Sequence, residues 1–252
     1  MIEIKFIMQH NTLWRPMMSS DPKNKATERQ WEKLYQQGVD APRYPNGNVL
    51  RWLFGNFPKK DADQFHLLDI GCGMGRHAIM MKHEGYNVTG TEYSQTAVNQ
   101  AKDWANQLEI DIPFSQSSAD EQPFPDATFD GIVCFSVLSY LPYDRYLQAT
   151  REIHRLLKPG GQCFIIVRND QDVRKTVGKL TAPHQYKITA QDQDQDNDYP
   201  WHKEVGMEQT LLPKDEIQKF FSVFSDLRIE EVTSTLENRK YREASWLIYA
   251  RK

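Results

Sequence analysis

The sequence predicts an α/β fold: a doubly wound, mostly parallel seven-stranded sheet with helices on both faces. Two observations carry this. Short apolar runs alternate with helical periods between His66 and Arg168, an order that gives a parallel sheet covered on both sides. The first apolar run then breaks into alternating glycines, Asp69-Ile70-Gly71-Cys72-Gly73-Met74-Gly75-Arg76, and the second ends in the acid Glu92. Strand, glycine turn, helix, strand, acid is how such a sheet builds a nucleoside site at the carboxyl ends of its strands.

The elements follow in order. Residues 1–25 show no clear period and read as a flexible arm. From Thr27 a helix is expected, because Trp31, Leu34 and Tyr35 share one face and Gly38 suits its stop. Asn48 to Phe57 reads as a second, largely apolar helix that covers the sheet. Strands are expected at 66–70, 87–91, 112–116, 129–135 and 162–168, with helices near 75–85, 94–108 and 143–157. Ser94 is a suitable N-cap for the helix it precedes. After Arg168 the pattern lapses through 169–212, longer than an ordinary connection. A helix from Pro213 to Val223 and strands near 227–233 and 244–250 complete the chain. Residues 26–252 are read as a single domain.

Composition narrows the function. The 252 residues are 39% hydrophobic and 26% charged, ordinary for a soluble enzyme with one substantial core. The net charge is −3 and no run of five Lys or Arg occurs, which argues against a nucleic-acid partner. No stretch approaches the roughly 18 apolar residues of a membrane span. Met1 to Met8 alternates apolar residues with Glu3 and Lys5 and does not read as a secretory signal. The cysteines at 72, 134 and 163 match no zinc spacing, and their odd number argues against a disulfide framework. A reducing cytoplasm is the expected setting. The tract Gln191 to Asp198 alternates carboxylates but lacks the glycine turn and final glutamate of a calcium loop. It reads as a solvated acidic loop, and no metal is expected.

The glycine spacing bears on the ligand. A dinucleotide fingerprint needs a third glycine where Arg76 stands; here it comes one residue earlier, at Gly75. Gly71 and Glu92 are separated by roughly the 20 residues that bring an acid to a ribose.

The form G-x-G-x-G preceded by Asp69 resembles motif I of the class I S-adenosylmethionine-dependent methyltransferases. The stretch from Ser118 to Asp130 resembles the family's loop between its third and fourth strands. Glu152 to Val167 resembles its helix, Lys-Pro-Gly-Gly turn and fifth strand. These ordered matches run from Leu67 to Val167. The resemblance implies a Rossmann-like fold with an antiparallel last strand, and S-adenosylmethionine as cofactor, released as S-adenosylhomocysteine. The implied reaction is in-line transfer of a methyl group to an oxygen, nitrogen or sulfur atom.

By the same resemblance, Asp69, Gly71, Cys72 and Gly73 would run along the methionyl part of the cofactor, and Glu92 would hold the ribose. Tyr93 would flank the adenine, beside a loop formed by Ala119, Asp120 and Glu121, with Asp120 accepting from the adenine amino group. Phe135 and Ser136 would lie under the reactive end, and Arg76 or His77 would reach the cofactor carboxylate. Trp31 to Tyr35 followed by Pro42 looks like the entry segment of small-molecule methyltransferases. Residues 26–60 are therefore expected as a helical lid, with Tyr35 as lid residue and Trp31 in packing, and 169–212 as a substrate cover.

The acceptor side is less marked. Phe135 to Pro142 lacks the Asn/Asp-Pro-Pro-Tyr signature of amino-group methylation, and no Pro-Cys nucleophile occurs, which favours a small-molecule acceptor. Tyr140 is assigned to positioning, since an ordinary phenol is a poor base at neutral pH. Arg168 would bind an acidic substrate group or serve as surface charge. His154 is read as structural, and His184 and His202 are the general-base candidates. No catalytic residue is singled out. The alternatives are methylation of RNA or protein, or a cofactor-binding regulatory protein without turnover; the chain is expected as a monomer or homodimer.

Overall fold

The structure is a computed structural model that describes residues 26–38, 42–189 and 201–252. The expected arm, 1–25, and the acidic tract, 191–198, lie outside the described residues.

The expected alternation is present. Helix α1 (Ala26–Gln36) and α2 (Gly47–Asn56) precede β1 (His66–Ile70), α3 (Arg76–His83), β2 (Asn87–Glu92), α4 (Gln95–Gln107) and β3 (Phe114–Gln116). Then come β4 (Phe129–Phe135), α5 (Tyr143–Leu156), β5 (Leu157–Arg168) and α6 (Val173–Val177). The chain continues through β6 (Gly178–Ala182), β7 (Gln185–Ile188), β8 (Glu208–Thr210), α7 (Lys214–Phe220), β9 (Asp226–Leu236) and β10 (Tyr241–Arg251).

Seven strands form one sheet in the order β3-β2-β1-β4-β5-β10-β9. The first five are parallel, as in the pairs Asp69↔Gly90 and Asp69↔Val133. β10 runs antiparallel to both β5 and β9, so the expected edge is an antiparallel hairpin. Alternation along the central strands feeds two cores. Ile132 and Ile165 pack with Ile153 of α5 and Ile217 of α7. Val133 and Phe164 pack on the other face with Trp52 of α2 and Met81 of α3. Local signals hold too: Ser94 Oγ accepts from Ala97 N at 3.0 Å and starts α4.

Boundaries differ where the backbone demands it. β3 begins at Phe114 rather than 112, because Pro113 has no N–H to pair with β2. β5 begins at Leu157, and its register against β4 shifts between Phe129 and Gly131, so the Lys-Pro-Gly-Gly turn is an irregularity within the strand. Residues 169–212 hold a structure with no counterpart in the sequence reading, an antiparallel sheet ordered β6-β7-β8. Its strands of 5, 4 and 3 residues are too short to display a period.

Chain order reverses between β1 and β4, since β2 flanks β1 on one side and β4 on the other. Outside the carboxyl ends of strands at such a switch point, doubly wound sheets open a crevice for ligands. Gly71 makes the turn at that point with φ +67°, and a Cβ there would meet Val137 Cγ2 at 2.1 Å. Gly71→Ala is accordingly expected to lose about 2 kcal/mol or more from strain and collision. Differential scanning calorimetry should show a Tm roughly 5 °C lower; an unchanged Tm would count against this geometry.

Candidate functional site

A cavity of about 530 Å³ opens over the carboxyl ends of β1, β2 and β4, within the roughly 300–1,000 Å³ range of small-molecule sites. Helix α1 lies along it with Thr27, Glu28, Trp31, Leu34 and Tyr35 on the lining, one helical face at i, i+3, i+4 and i+7 spacing. The floor is the glycine turn, with Gly71, Cys72 and Gly73 all exposed to the cavity. A Cβ on Gly73 would come within 2.9 Å of Tyr35 Oη, so only a bare backbone fits beneath the tyrosine.

Glu92 ends β2 and faces the same cavity. Its Oε2 accepts from Gly73 N at 3.0 Å and its Oε1 from Ser94 N at 2.9 Å. Burial raises its pKa, and these backbone donors oppose the rise. Each carboxylate oxygen has two acceptor directions, so capacity remains for a ligand. Asp69 is buried behind the turn rather than on the lining. Its Oδ2 accepts from Ala78 N at 3.2 Å, while Oδ1 has no partner among the described residues. Burial lifts its pKa to about 7. Thr91 Oγ1 is likewise buried and without a partner among the described residues.

Arg76 and His77 start α3 and both line the cavity. The Arg76 guanidinium lies 4.9 Å from the Phe135 ring and donates to Tyr44 O at 3.3 Å. His77 Nε2 accepts from Asn46 N at 3.2 Å. Burial, followed by the charge of Arg76, brings His77 down to about 3, so it is a neutral imidazole at pH 7. Phe135 and Ser136 at the tip of β4 line the cavity as expected. Ser136 has φ +57°, a left-handed conformation sparse for residues other than glycine, and is fixed by donation of its N–H to Ile166 O at 2.7 Å.

The loop between β3 and β4 departs from the sequence expectation. Tyr93 and Ala119 line the cavity, together with Ser117 and Ser118, but Asp120 and Glu121 do not. Arg145, in the first turn of α5, takes the Asp120 carboxylate with Nε on Oδ2 at 2.7 Å and Nη2 on Oδ1 at 2.8 Å. The Ser118 hydroxyl donates to Oδ1 as well. Burial would raise Asp120, but these donors hold it below the usual carboxylate range. Glu121 is exposed.

Beyond β4 the cavity reaches Tyr140, Arg168, Arg174 and Glu204. Glu204 is the hub of that end. Its Oε1 accepts from Arg168 Nη2 at 2.9 Å and from Tyr140 Oη at 3.1 Å. Its Oε2 accepts from Arg174 Nε at 2.9 Å and from Gln209 Nε2 at 3.1 Å. Burial opposes its charge, yet the two guanidiniums hold its pKa below normal. Tyr140 is pushed up by burial and then by Glu204, so its phenol stays protonated. The Trp31 ring meets Tyr140 edge-on, 5.2 Å between centroids; the tryptophan assigned to packing is therefore also part of the wall.

His184 and His202 stand outside the lining. His184 turns the chain between β6 and β7 with φ +58° and stacks on Tyr143 at 6.3 Å. His202 is exposed, in a 3-10 turn. Sequence reasoning missed Glu28, Arg145, Arg174 and Glu204. Glu28 falls on the stripe already carrying Trp31 and Tyr35, one turn earlier, and was legible there. The other three depend on contacts between distant parts of the chain and leave no local signal.

Comparison with known proteins agrees with this geometry. Residues 67–161 match the family described as "Methyltransferase domain". The 27-O-demethylrifamycin SV methyltransferase of Amycolatopsis mediterranei is 38% identical over 113 residues, 44% of this chain and 40% of the relative. The ubiquinone biosynthesis O-methyltransferase of Alkalilimnicola ehrlichii is 32% identical over 104 residues, 41% of each chain. The chain thus spans about two fifths of the length of these curated relatives. A solved S-adenosylmethionine-dependent methyltransferase from Methanosarcina mazei shares the fold at TM-score 0.59 and 20% identity, over 75% of this chain and 92% of that one. The strand order, the glycine turn and Glu92 thus stand together in a chain whose residues 67–161 match a methyltransferase domain and whose fold is that of a solved S-adenosylmethionine-dependent methyltransferase.

Proposed function

We propose that this protein binds S-adenosylmethionine and transfers its methyl group to an oxygen, nitrogen or sulfur atom of a small molecule. One observation carries the reading: Glu92 and the glycine turn face a cavity that continues under α1 to Tyr140 and Arg168. The residues fit the cofactor. Gly71 and Gly73 leave bare backbone for close approach, and Glu92 keeps acceptor capacity for ribose hydroxyls. Bound there, S-adenosylmethionine supplies a methyl group already activated on a sulfonium for in-line displacement.

The chain's own contribution is alignment and exclusion of water. Phe135 and Ser136 present the strained tip of β4 at the reactive end. Tyr140, held protonated, positions the acceptor as a hydrogen-bonding group rather than a base. Residues 26–60 act as the lid, with Tyr35 over Gly73, and the segment 169–212 covers the substrate through Arg174 and Glu204. With His184 and His202 outside the lining, an acceptor that loses its proton readily, such as a phenol or thiol, suits the site. The relatives named for rifamycin and ubiquinone biosynthesis support a small acceptor, and a cavity roofed by a helix suits one better than it suits RNA or a protein surface.

Among the described residues no helix is long and apolar enough to cross a membrane. The three free, buried cysteines suit a reducing, cytoplasmic setting, and the chain is proposed to act as a monomer or homodimer. Isothermal calorimetry with S-adenosylhomocysteine, followed by a methyl-transfer assay over phenols, amines and thiols, tests the reading. Binding with release of S-adenosylhomocysteine is the expected result. Binding with no turnover on any class would leave a regulatory protein, and no binding would remove the cofactor.

A further inference from the structure

Sheet order fixes which end of the cavity is which. A ligand whose ribose rests on Glu92 at the tip of β2, with its reactive end over β1 and β4, must place its base toward β3. That end is lined by Tyr93, Ser117, Ser118, Ala119 and, from the roof, Glu28.

Arg145 stands between two carboxylates there. It takes both oxygens of Asp120, and its Nη1 takes Glu28 Oε1 at 2.8 Å. The two acids end differently. Asp120 has Arg145 and Ser118 on its oxygens and lies off the cavity lining. Glu28 is 8% exposed, lies on the lining, and its buried Oε2 has no hydrogen-bond partner among the described residues. A buried carboxylate oxygen without a donor costs free energy that a ligand N–H at that point restores. The Tyr93 phenol is its neighbour: burial raises the Tyr93 pKa, and the Glu28 charge and a side-chain hydrogen bond to the Glu28 carboxylate add to that rise, which leaves Oε2 as the oxygen with no partner among the described residues.

We infer that Glu28, on the covering helix, is the carboxylate that accepts a hydrogen bond from the exocyclic amino group of the adenine, with Arg145 as its positioning residue. This rests on the cofactor reading above and deepens it. The loop acid Asp120 acts at one remove, by anchoring Arg145, which holds Glu28 Oε1 and leaves Oε2 without a donor among the described residues. A carboxylate at that place reads the base: it accepts from an amino group and repels a carbonyl oxygen. The base is thereby read from the roof, by the same helix that carries Trp31 and Tyr35.

The test is calorimetric binding of two probes, S-adenosylhomocysteine and S-inosylhomocysteine, which differ in carrying an amino group or a keto oxygen at that edge. The wild type should prefer the adenosyl probe by about 30-fold or more, because the inosyl probe sets a keto oxygen against the buried acceptor and carries its nearest N–H on the neighbouring ring nitrogen. In Glu28→Gln the preference should fall to about 3-fold or less, since the amide can donate to the keto oxygen. Glu28→Asp keeps the charge while withdrawing the carboxylate. It should cost the adenosyl probe about 10-fold and leave the inosyl probe unchanged, and it covers the case in which the amide disturbs the helix. Asp120→Asn should weaken both probes alike and preserve their ratio. A ratio unchanged in both Glu28 variants, or collapsing in Asp120→Asn, overturns the inference while S-adenosylhomocysteine still binds. Failure of the wild type to bind either probe overturns the cofactor reading itself.

Discussion

Replacement of Glu92 by alanine should lower the affinity for S-adenosylhomocysteine by about 100-fold or more, read by calorimetry. Two losses add. The ribose loses its buried acceptor, and Gly73 N and Ser94 N, which the carboxylate holds at 3.0 and 2.9 Å, lose theirs. The first of those amides lies in the glycine turn, so its release loosens the floor of the site as well. Glu92→Gln keeps the shape and one acceptor oxygen and should lose about 10-fold. Stability should move the other way. The Glu92 pKa is raised in the folded protein, chiefly by burial. The folded state therefore loses stability as pH rises from the unfolded value near 4.5 through the folded one. Glu92→Gln removes that penalty but turns its NH2 toward Gly73 N or Ser94 N, so its ligand-free Tm should gain on the wild type's as pH rises from about 5 to about 8. Tight binding by Glu92→Ala would mean that the carboxylate serves the turn alone.

Stability set against affinity is what a site residue looks like, and such residues divide into those visible in the sequence and those not. The segment from His66 to Glu92 was legible because its signals are local: apolar runs for β1 and β2, three glycines at the turn, an acid at the correct distance. Ser94 and the alternation of strands and helices were legible for the same reason. The loop between β3 and β4 was not. Its acid, Asp120, was placed by motif order, but its direction is set by Arg145, 25 residues further on. In the same way the region 169–212 shows no period, yet it supplies Arg174, Glu204 and Gln209 to a network that meets Tyr140, in the turn after β4, and Arg168, at the end of β5. Ion pairs between such distant segments depend on the fold already formed. A helix face needs only spacing, and Glu28, Trp31 and Tyr35 had it.

That network should give the largest stability effect in the molecule. Glu204→Gln is expected to destabilise the protein by about 3–5 kcal/mol, because it leaves two buried guanidiniums without their shared counter-charge. For a chain of this size the Tm should fall by roughly 10 °C. Arg174 keeps Asp172 and Glu243 at 3.3 and 2.8 Å. Arg168 keeps only Asp172, 4.0 Å away, as an ion-pair partner among the described residues. The amide also brings its own N–H groups against four donors, so at least one contact of the hub is lost. The pH dependence gives the sign. Burial opposes the Glu204 charge, yet Arg168 and Arg174 hold its folded pKa below the ordinary value near 4.5. Its contribution is present above that ordinary value and lost as pH falls through the folded one, so wild type and Glu204→Gln should converge in acid. Adding Arg168→Met to Glu204→Gln should recover part of the loss, since removing an uncompensated buried charge is often neutral or favourable. The double variant then separates structure from function: the fold returns, while the acceptor end, without its guanidinium, should turn over poorly. Equal Tm values for wild type and Glu204→Gln at pH 7 would mean that water, not Glu204, compensates the arginines.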